Sequence, residues 1–245
     1  MNKAERAIIL AAGQGKRLRP ITSTCPKSLV TVNGVAMLET SLGALQQNGI
    51  EEIWIVVGYL KEMFQPLTKR YKGINLIENP YYASANNVSS LYAARAYLQN
   101  TIVMDADLII RNPSILAPHF PCSGYNAIWT DTPTSEWLLT LDADQKISHC
   151  SKTGGNKGWQ LFSISRWSAE DGGRLARHLQ REFIDNQNGQ IYWDDIPLFL
   201  YPKEYQLGIC AMERFDITEI DTLAELAAVD PSYRKYGLEK NNGEA

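Results

Sequence analysis

Short apolar runs alternate with amphipathic stretches through the first hundred residues. Ala7 to Ala12 is an unbroken apolar run, the pattern of a strand buried on both faces. Met37, Leu38, Ser41, Leu42 and Leu45 recur at helical spacing, and Gly49 ends that helix. Ile53 to Val57 reads as a second buried strand with Gly58 as its exit. Lys61 to Tyr71 reads as a helix, Ile74 to Ile77 as a short strand and Val88 to Leu98 as another helix. Thr101 to Met104 is a strand ending at Asp105-Ala106-Asp107. Such alternation predicts an α/β fold with three layers, a mostly parallel central sheet covered on both faces. Ligands of such sheets bind beyond the carboxyl ends of the strands. The glycine-bearing turn after Ala12 and the Asp pair both fall there.

The second half changes character. Tyr125 to Thr130, Trp137 to Leu141 and Trp159 to Ser165 read as strands joined by turns. Ala169 to Ile184 carries an apolar stripe at Leu175, Leu179 and Phe183 and reads as a helix. Tyr205 to Met212 and Ile217 to Ile220 read as extended, and a last helix starts near Asp221 or Thr222. No internal repeat or low-complexity linker interrupts the chain. The expectation is one domain over residues 1–240, with a front half to about residue 120 and an aromatic-rich β/α lid over about 121–235. Residues 241–245 form a polar tail. The stretch from Lys146 to Trp159 suggests no role.

With 245 residues, 44% hydrophobic and 21% charged, the chain can bury a sizeable core. A net charge of −3 argues against nucleic acid as a bulk partner. Cys25, Cys122, Cys150 and Cys210 show neither metal-ligand spacing nor a disulfide framework. Reduced thiols in a cytoplasmic protein are the simple expectation. The apolar run at Ala7 is too short for a signal peptide and enters a charged loop, and no stretch has the length of a membrane span.

The chemistry concentrates in a few segments. Gly13-Gln14-Gly15-Lys16-Arg17-Leu18-Arg19-Pro20 follows the first strand, and Pro26-Lys27-Ser28-Leu29 lies just beyond. Glycines let backbone N–H groups approach a phosphate chain, and the cations neutralise its charge. No Walker A string follows Gly13, and Leu18 stands where a dinucleotide fingerprint needs its third glycine. A plain turn accounts for the glycine pair alone, though not for the whole combination. Asp105 and Asp107 flank one small residue, and in an extended segment they point to one side. Two such carboxylates suit a hard cation such as Mg²⁺, or simply a solvated turn. Glu219-Ile220-Asp221-Thr222 is a second acidic segment, in which Asp221 either caps the helix or faces a metal. His119, His149 and His178 have no partner spacing and read as surface or loop residues. Aromatic residues sit beside acids at Glu136-Trp137 and at Tyr192-Trp193-Asp194-Asp195. Aromatic faces attract cations, although core packing explains most single rings. Two carboxylates directly after the Trp193 ring are costly inside a plain core.

Together these segments resemble the nucleotidyltransferases that join an NTP to a phosphorylated small molecule. The likeness runs in order through L-A-A-G-x-G-x-R-L-x-P, P-K-S-L-V, I-x-I-V-V-G-Y, N-N-x-x-S-L, the D-A-D strand end, S-E-W, Y-W-D-D and E-I-D-T. The later motifs are most similar to the bacterial choline-phosphate cytidylyltransferase branch. The resemblance implies a Rossmann-like fold with a nucleotide-binding front half and an acceptor-binding second half. It implies transfer of a cytidylyl group from CTP to phosphocholine with Mg²⁺. Ala11, Ala12 and Gly13 would hold the base and ribose; Gly15, Lys16 and Arg17 would wrap the triphosphate. Lys27 would contact the reacting phosphates, and Asn87 and Ser89, or the backbone around them, would read cytosine. Asp107 and Asp221 would bind the metal, with Asp105 beside the nucleotide. Trp137, Tyr192, Trp193, Asp194 and Asp195 would hold the acceptor's amine. Relatives act on 2-aminoethylphosphonate or sugar-1-phosphates, which remain alternative acceptors; a nucleotide-binding sensor is the alternative outside catalysis. Oligomeric state is not legible.

Overall fold

The computed structural model describes residues 1–238; the expected polar tail lies outside them. The first apolar run forms β1 (Arg6–Leu10). It is followed by α1 (Met37–Gln47), β2 (Glu52–Val57), α2 (Gln65–Arg70), β3 (Ile74–Glu78), α3 (Val88–Ala93) and β4 (Thr101–Asp105). These four strands are parallel, in the order β4-β1-β2-β3. Successive strand residues point to opposite faces, so each strand feeds two helical layers. Ile9, Ile55 and Met104 pack with Leu38, Leu42 and Leu45 of α1. Ile8, Leu10, Val56 and Val103 pack on the other face with Leu91 of α3 and with Leu175 and Leu179. The three-layer α/β architecture expected from the alternation is therefore present.

The chain continues with β5 (Leu108–Ile110), β6 (Gly124–Thr130), β7 (Leu138–Leu141), β8 (Ile147–Ser151) and β9 (Gly158–Trp167). Then come α4 (Ala169–Gln180), β10 (Gly208–Ala211), β11 (Ile217–Glu219) and α5 (Leu223–Val229). Strand β9 joins the halves. Its end pairs antiparallel with β4, from Ile164 opposite Met104 to Trp167 opposite Thr101. Its beginning pairs with β7, and β6 runs along its other edge. Lys146 to Trp159, which suggested no role, forms β8, a turn and the start of β9. Strand β8 escapes a hydrophobic reading because Ser148 and His149 are exposed and only Cys150 is fully buried.

One open alternative closes and two local expectations need correction. Thr222, not Asp221, caps α5: its hydroxyl accepts from the Glu225 amide while Glu225 reaches back to the Thr222 amide. His178 is not a surface residue; it is buried on α4, stacked on Tyr201 at 3.9 Å and hydrogen-bonded to the Tyr205 hydroxyl at 2.8 Å. The helix read over Ala169 to Ile184 is α-helical only to Gln180 and then widens into a π-helical turn through Asp185.

Candidate active site

A cleft of about 590 Å³ opens beyond the carboxyl ends of β1 and β4. One wall is the glycine loop. Gly15 has φ +58°, and a Cβ there would stand 2.9 Å from the Lys27 Cβ. The left-handed conformation and the tight approach both require glycine. The Thr22 hydroxyl donates to the Gly15 carbonyl at 2.8 Å and holds the turn. Leu18 anchors the loop in a separate apolar cluster with Val30, Met37, Ile220 and Leu226 of α5. That cluster ties the loop to the segment carrying Asp221.

Strands β5 and β11 form a two-stranded ribbon in which Glu219 stands opposite Leu108, and the Ile220 amide donates to the Asp107 carbonyl at 3.2 Å. The ribbon thus brings acids far apart in sequence together. Carboxylate oxygens of Asp107, Glu219 and Asp221 lie within 4.8 Å of one another. Lys27 Nζ donates to Asp107 Oδ2 and to Asp221 Oδ1, both at 2.6 Å, and Arg17 donates to Asp221 Oδ1 at 2.7 Å. Burial opposes the charged Lys27 ammonium, but the two carboxylates outweigh it and hold its pKa above that of a free lysine. Burial, with repulsion from Asp107 and Asp221, pushes the Glu219 carboxyl up to about 8. Burial also raises Asp105 well above the usual carboxylate range, helped by the charges of Asp107, Asp194 and Glu219. Asp107 Oδ1 is buried and meets no hydrogen-bond partner among the described residues. Three clustered carboxylates with an orphaned oxygen are a donor set that fits a hard divalent cation.

The opposite wall comes from the loop before α3. Asn79 donates to the hydroxyls of Ser89 at 2.9 Å and Ser90 at 3.0 Å. Asn79, Asn87 and Ser90 reach the cleft. Ser89, expected to read the base, is buried and donates to the Asn86 carbonyl. Asn87 Oδ1 accepts from the Trp193 amide at 3.0 Å, which docks the Y-W-D-D segment beside the cleft.

That segment divides. Trp193, expected at the acceptor, is only 3% exposed and packs between Tyr125 and Trp167 in the core. Tyr192 is 47% exposed and meets Trp137 edge-on at 5.8 Å. Phe199, absent from the sequence reading, meets Trp137 at 5.7 Å. The Asp194 carboxyl is buried beside Tyr125, and burial pushes its pKa up to about 7. Asp195 Oδ2 accepts from the Tyr192 amide at 3.1 Å. Ala11, Ala12, Gly13, Gly15, Lys16, Arg17, Lys27, Asn87, Asp105, Asp107 and Asp221 all line the one cleft. Glu219, Asn79, Ser90 and Phe199 had no expected role. Glu219 carried a signal, since it stands two residues from Asp221 in an extended segment, and Ser90 is the serine of the N-N-x-x-S-L motif; Asn79 and Phe199 carried none.

Residues 7–149 match the model of the MobA-like NTP transferase domain. The chain belongs to this nucleotidyltransferase family. The enzyme is 40% identical to a 2-aminoethylphosphonate cytidylyltransferase from Lancefieldella rimae, over 93% of this chain and 92% of that protein. It is 34% identical to a choline-phosphate cytidylyltransferase from Streptococcus pneumoniae, over 90% of this chain and 94% of that protein. The solved structure of the CTP:phosphocholine cytidylyltransferase LicC from Streptococcus pneumoniae superposes with a TM-score of 0.84 at 32% identity, covering 93% of this chain and 98% of that one. The enzyme is a nucleotidyltransferase, and no helix among its described residues is long and apolar enough to cross a membrane.

Proposed function

We propose that this enzyme transfers the cytidylyl group of CTP to a small phosphate or phosphonate bearing an ammonium group, and that 2-aminoethylphosphonate is its acceptor. The observation that carries the reading is the pairing of a cation-and-carboxylate cleft with an aromatic, acid-lined neighbour at Trp137, Tyr192, Phe199 and Asp195. The relative at 40% identity supports the primary-amine acceptor. Phosphocholine is the second reading, favoured by the three rings, which suit a quaternary ammonium.

An acceptor oxygen attacks the α-phosphorus in line, forming the new P–O bond as the bond to the β-phosphate breaks and pyrophosphate leaves. A phosphonate already carries an anionic oxygen at neutral pH, as does a phosphate ester with its second pKa near 6, so either acceptor needs no general base. The difficulty is the approach of two anions. Lys27 stabilises charge on the reacting phosphates, and Arg17, whose side chain is 67% exposed, exchanges Asp221 for the triphosphate. Backbone N–H groups of the Gly13 to Arg17 loop cradle the phosphates, and Asn87 with Ser90 faces the base. Asp107, Asp221 and Glu219 would hold Mg²⁺, which when bound draws charge from the phosphates. Holding both reactants in line contributes up to about 7–11 kcal/mol to lowering the barrier.

Pyrophosphate release measured with CTP, UTP, GTP and ATP against a panel of acceptors tests the reading. We expect release from CTP only when an amine-bearing acceptor is present, with the highest kcat/KM for 2-aminoethylphosphonate. Release with a sugar-1-phosphate but no amine would overturn the acceptor assignment. CTP binding without release under any condition would make the protein a sensor.

A further inference from the structure

Lys152 lies on the turn after β8 and has no part in the chemistry above. Its ammonium is ion-paired with Asp195. It also sits 5.0 Å from the centre of the Trp137 ring and 4.6 Å from that of Phe199. Asp195 is 9% exposed at its side chain, and its Oδ1 meets no other partner among the described residues. A carboxylate that deep is costly unless a cation accompanies it. The backbone of the turn is held. Thr134 and Gly155 exchange two amide–carbonyl bonds of 3.0 Å, and the Ser151 hydroxyl donates to the Gly154 carbonyl at 2.7 Å. The Lys152 side chain is nevertheless 41% exposed, so its flexible stem has a way out to water. An ammonium of the chain itself therefore occupies the ring-and-acid pocket proposed for the acceptor's ammonium.

We infer that Lys152 is the resident cation of the acceptor pocket, which the acceptor's ammonium displaces on binding, and that it thereby restricts acceptors to those bringing a positive charge. This rests on the amine-bearing acceptor proposed above. As Lys152 swings out, Asp195 loses its partner. Only a ligand with its own cation restores the balance. An alkyl phosphonate without an ammonium group leaves the carboxylate bare and does not evict the lysine. Occupancy by Lys152 also lowers apparent affinity, because the competent state is the fraction of molecules with an empty pocket.

Titration calorimetry of the full chain with 2-aminoethylphosphonate, phosphocholine and ethylphosphonate, together with steady-state kinetics, tests the idea. Lys152→Met keeps the stem and removes the charge; Lys152→Arg keeps a cation. With a pocket self-occupied in about nine molecules of ten, Lys152→Met should lower the acceptor Kd and KM about tenfold. The KM for CTP should not move. Lys152→Arg should stay near wild type, and ethylphosphonate should bind only Lys152→Met, which has no lysine to evict. An acceptor Kd that is unchanged or raised in Lys152→Met overturns the inference, since a lysine that holds the acceptor gives a rise. Tight binding of ethylphosphonate to the wild type overturns it too. If neither amine binds any variant, the acceptor reading itself falls and takes this inference with it.

Discussion

Gly13 and Gly15 look alike in the motif and differ in the fold. Gly15 needs its left-handed backbone and lies against Lys27, whereas a Cβ at Gly13 meets no protein atom within 4 Å. Gly15→Ala should destabilise the protein by about 1–2 kcal/mol for the left-handed conformation alone, and should lower kcat by displacing Lys27. Gly13→Ala should leave the melting temperature unchanged and raise the KM for CTP, because only a nucleotide would meet the added methyl. Thermal melts and kinetics of the two variants separate the roles; equal melting losses would refute the distinction. Lys27 holds the centre of the acid cluster, 2.6 Å from both Asp107 and Asp221. Lys27→Ala should lower kcat/KM by roughly 10²–10³, the size of losing one charge-stabilising donor. An effect on melting temperature alone would make Lys27 structural.

At the scale of elements, the ribbon of β5 and β11 and the capping of α5 decide where the acids point. Because Thr222 and Glu225 satisfy the helix terminus, Asp221 is released toward Lys27 and Arg17. Asp107→Asn should abolish most turnover while leaving the fold intact, since it also relieves the repulsion that raises Glu219. Mg²⁺ should raise the melting temperature of the wild type and not of this variant; an equal rise would place the metal elsewhere. Helix α4 carries a pH-dependent contribution. Burial lowers the His178 pKa below 6.5, as do Arg181, Arg177 and Arg174, against the pull of Glu204. Between that lowered value and the unfolded value near 6.5, the unfolded chain binds more protons, so stability rises with pH. The contribution is complete above about pH 6.5 and is lost as pH falls through the folded value. Denaturant unfolding of wild type and His178→Phe between about pH 5 and pH 7 should show a shallower acid loss in the variant. Parallel slopes would remove His178 from the account.

At the scale of the molecule, β9 joins the parallel front sheet to the aromatic second half, and Trp193 shows what that junction costs a sequence reading. The two acids after it pointed to a ligand, yet the Trp193 ring fills the core beside Trp167, the Asp194 carboxyl is buried beside Tyr125, and only Asp195 reaches the Lys152 ammonium. Trp193→Ala should cost about 3–5 kcal/mol of stability, as large aromatic truncations do, and disturb the KM of both substrates. Tyr192→Ala should raise the acceptor KM alone. Reversed outcomes would return Trp193 to the pocket. The chain by itself determined the parallel front half, because apolar runs and helical stripes are local patterns that burial on two faces imposes. It also marked Gly15, Lys27, Asp107 and Asp221, since phosphate loops and strand-end acids are short motifs. Tertiary structure alone decided that Glu219 joins the acid cluster, that the Trp193 ring turns into the core, and that Lys152 reaches Asp195. Those placements depend on how strands pair across more than forty residues and which way a helical turn faces. Side-chain direction at such junctions is settled by packing against distant partners, and no spacing along the chain encodes it.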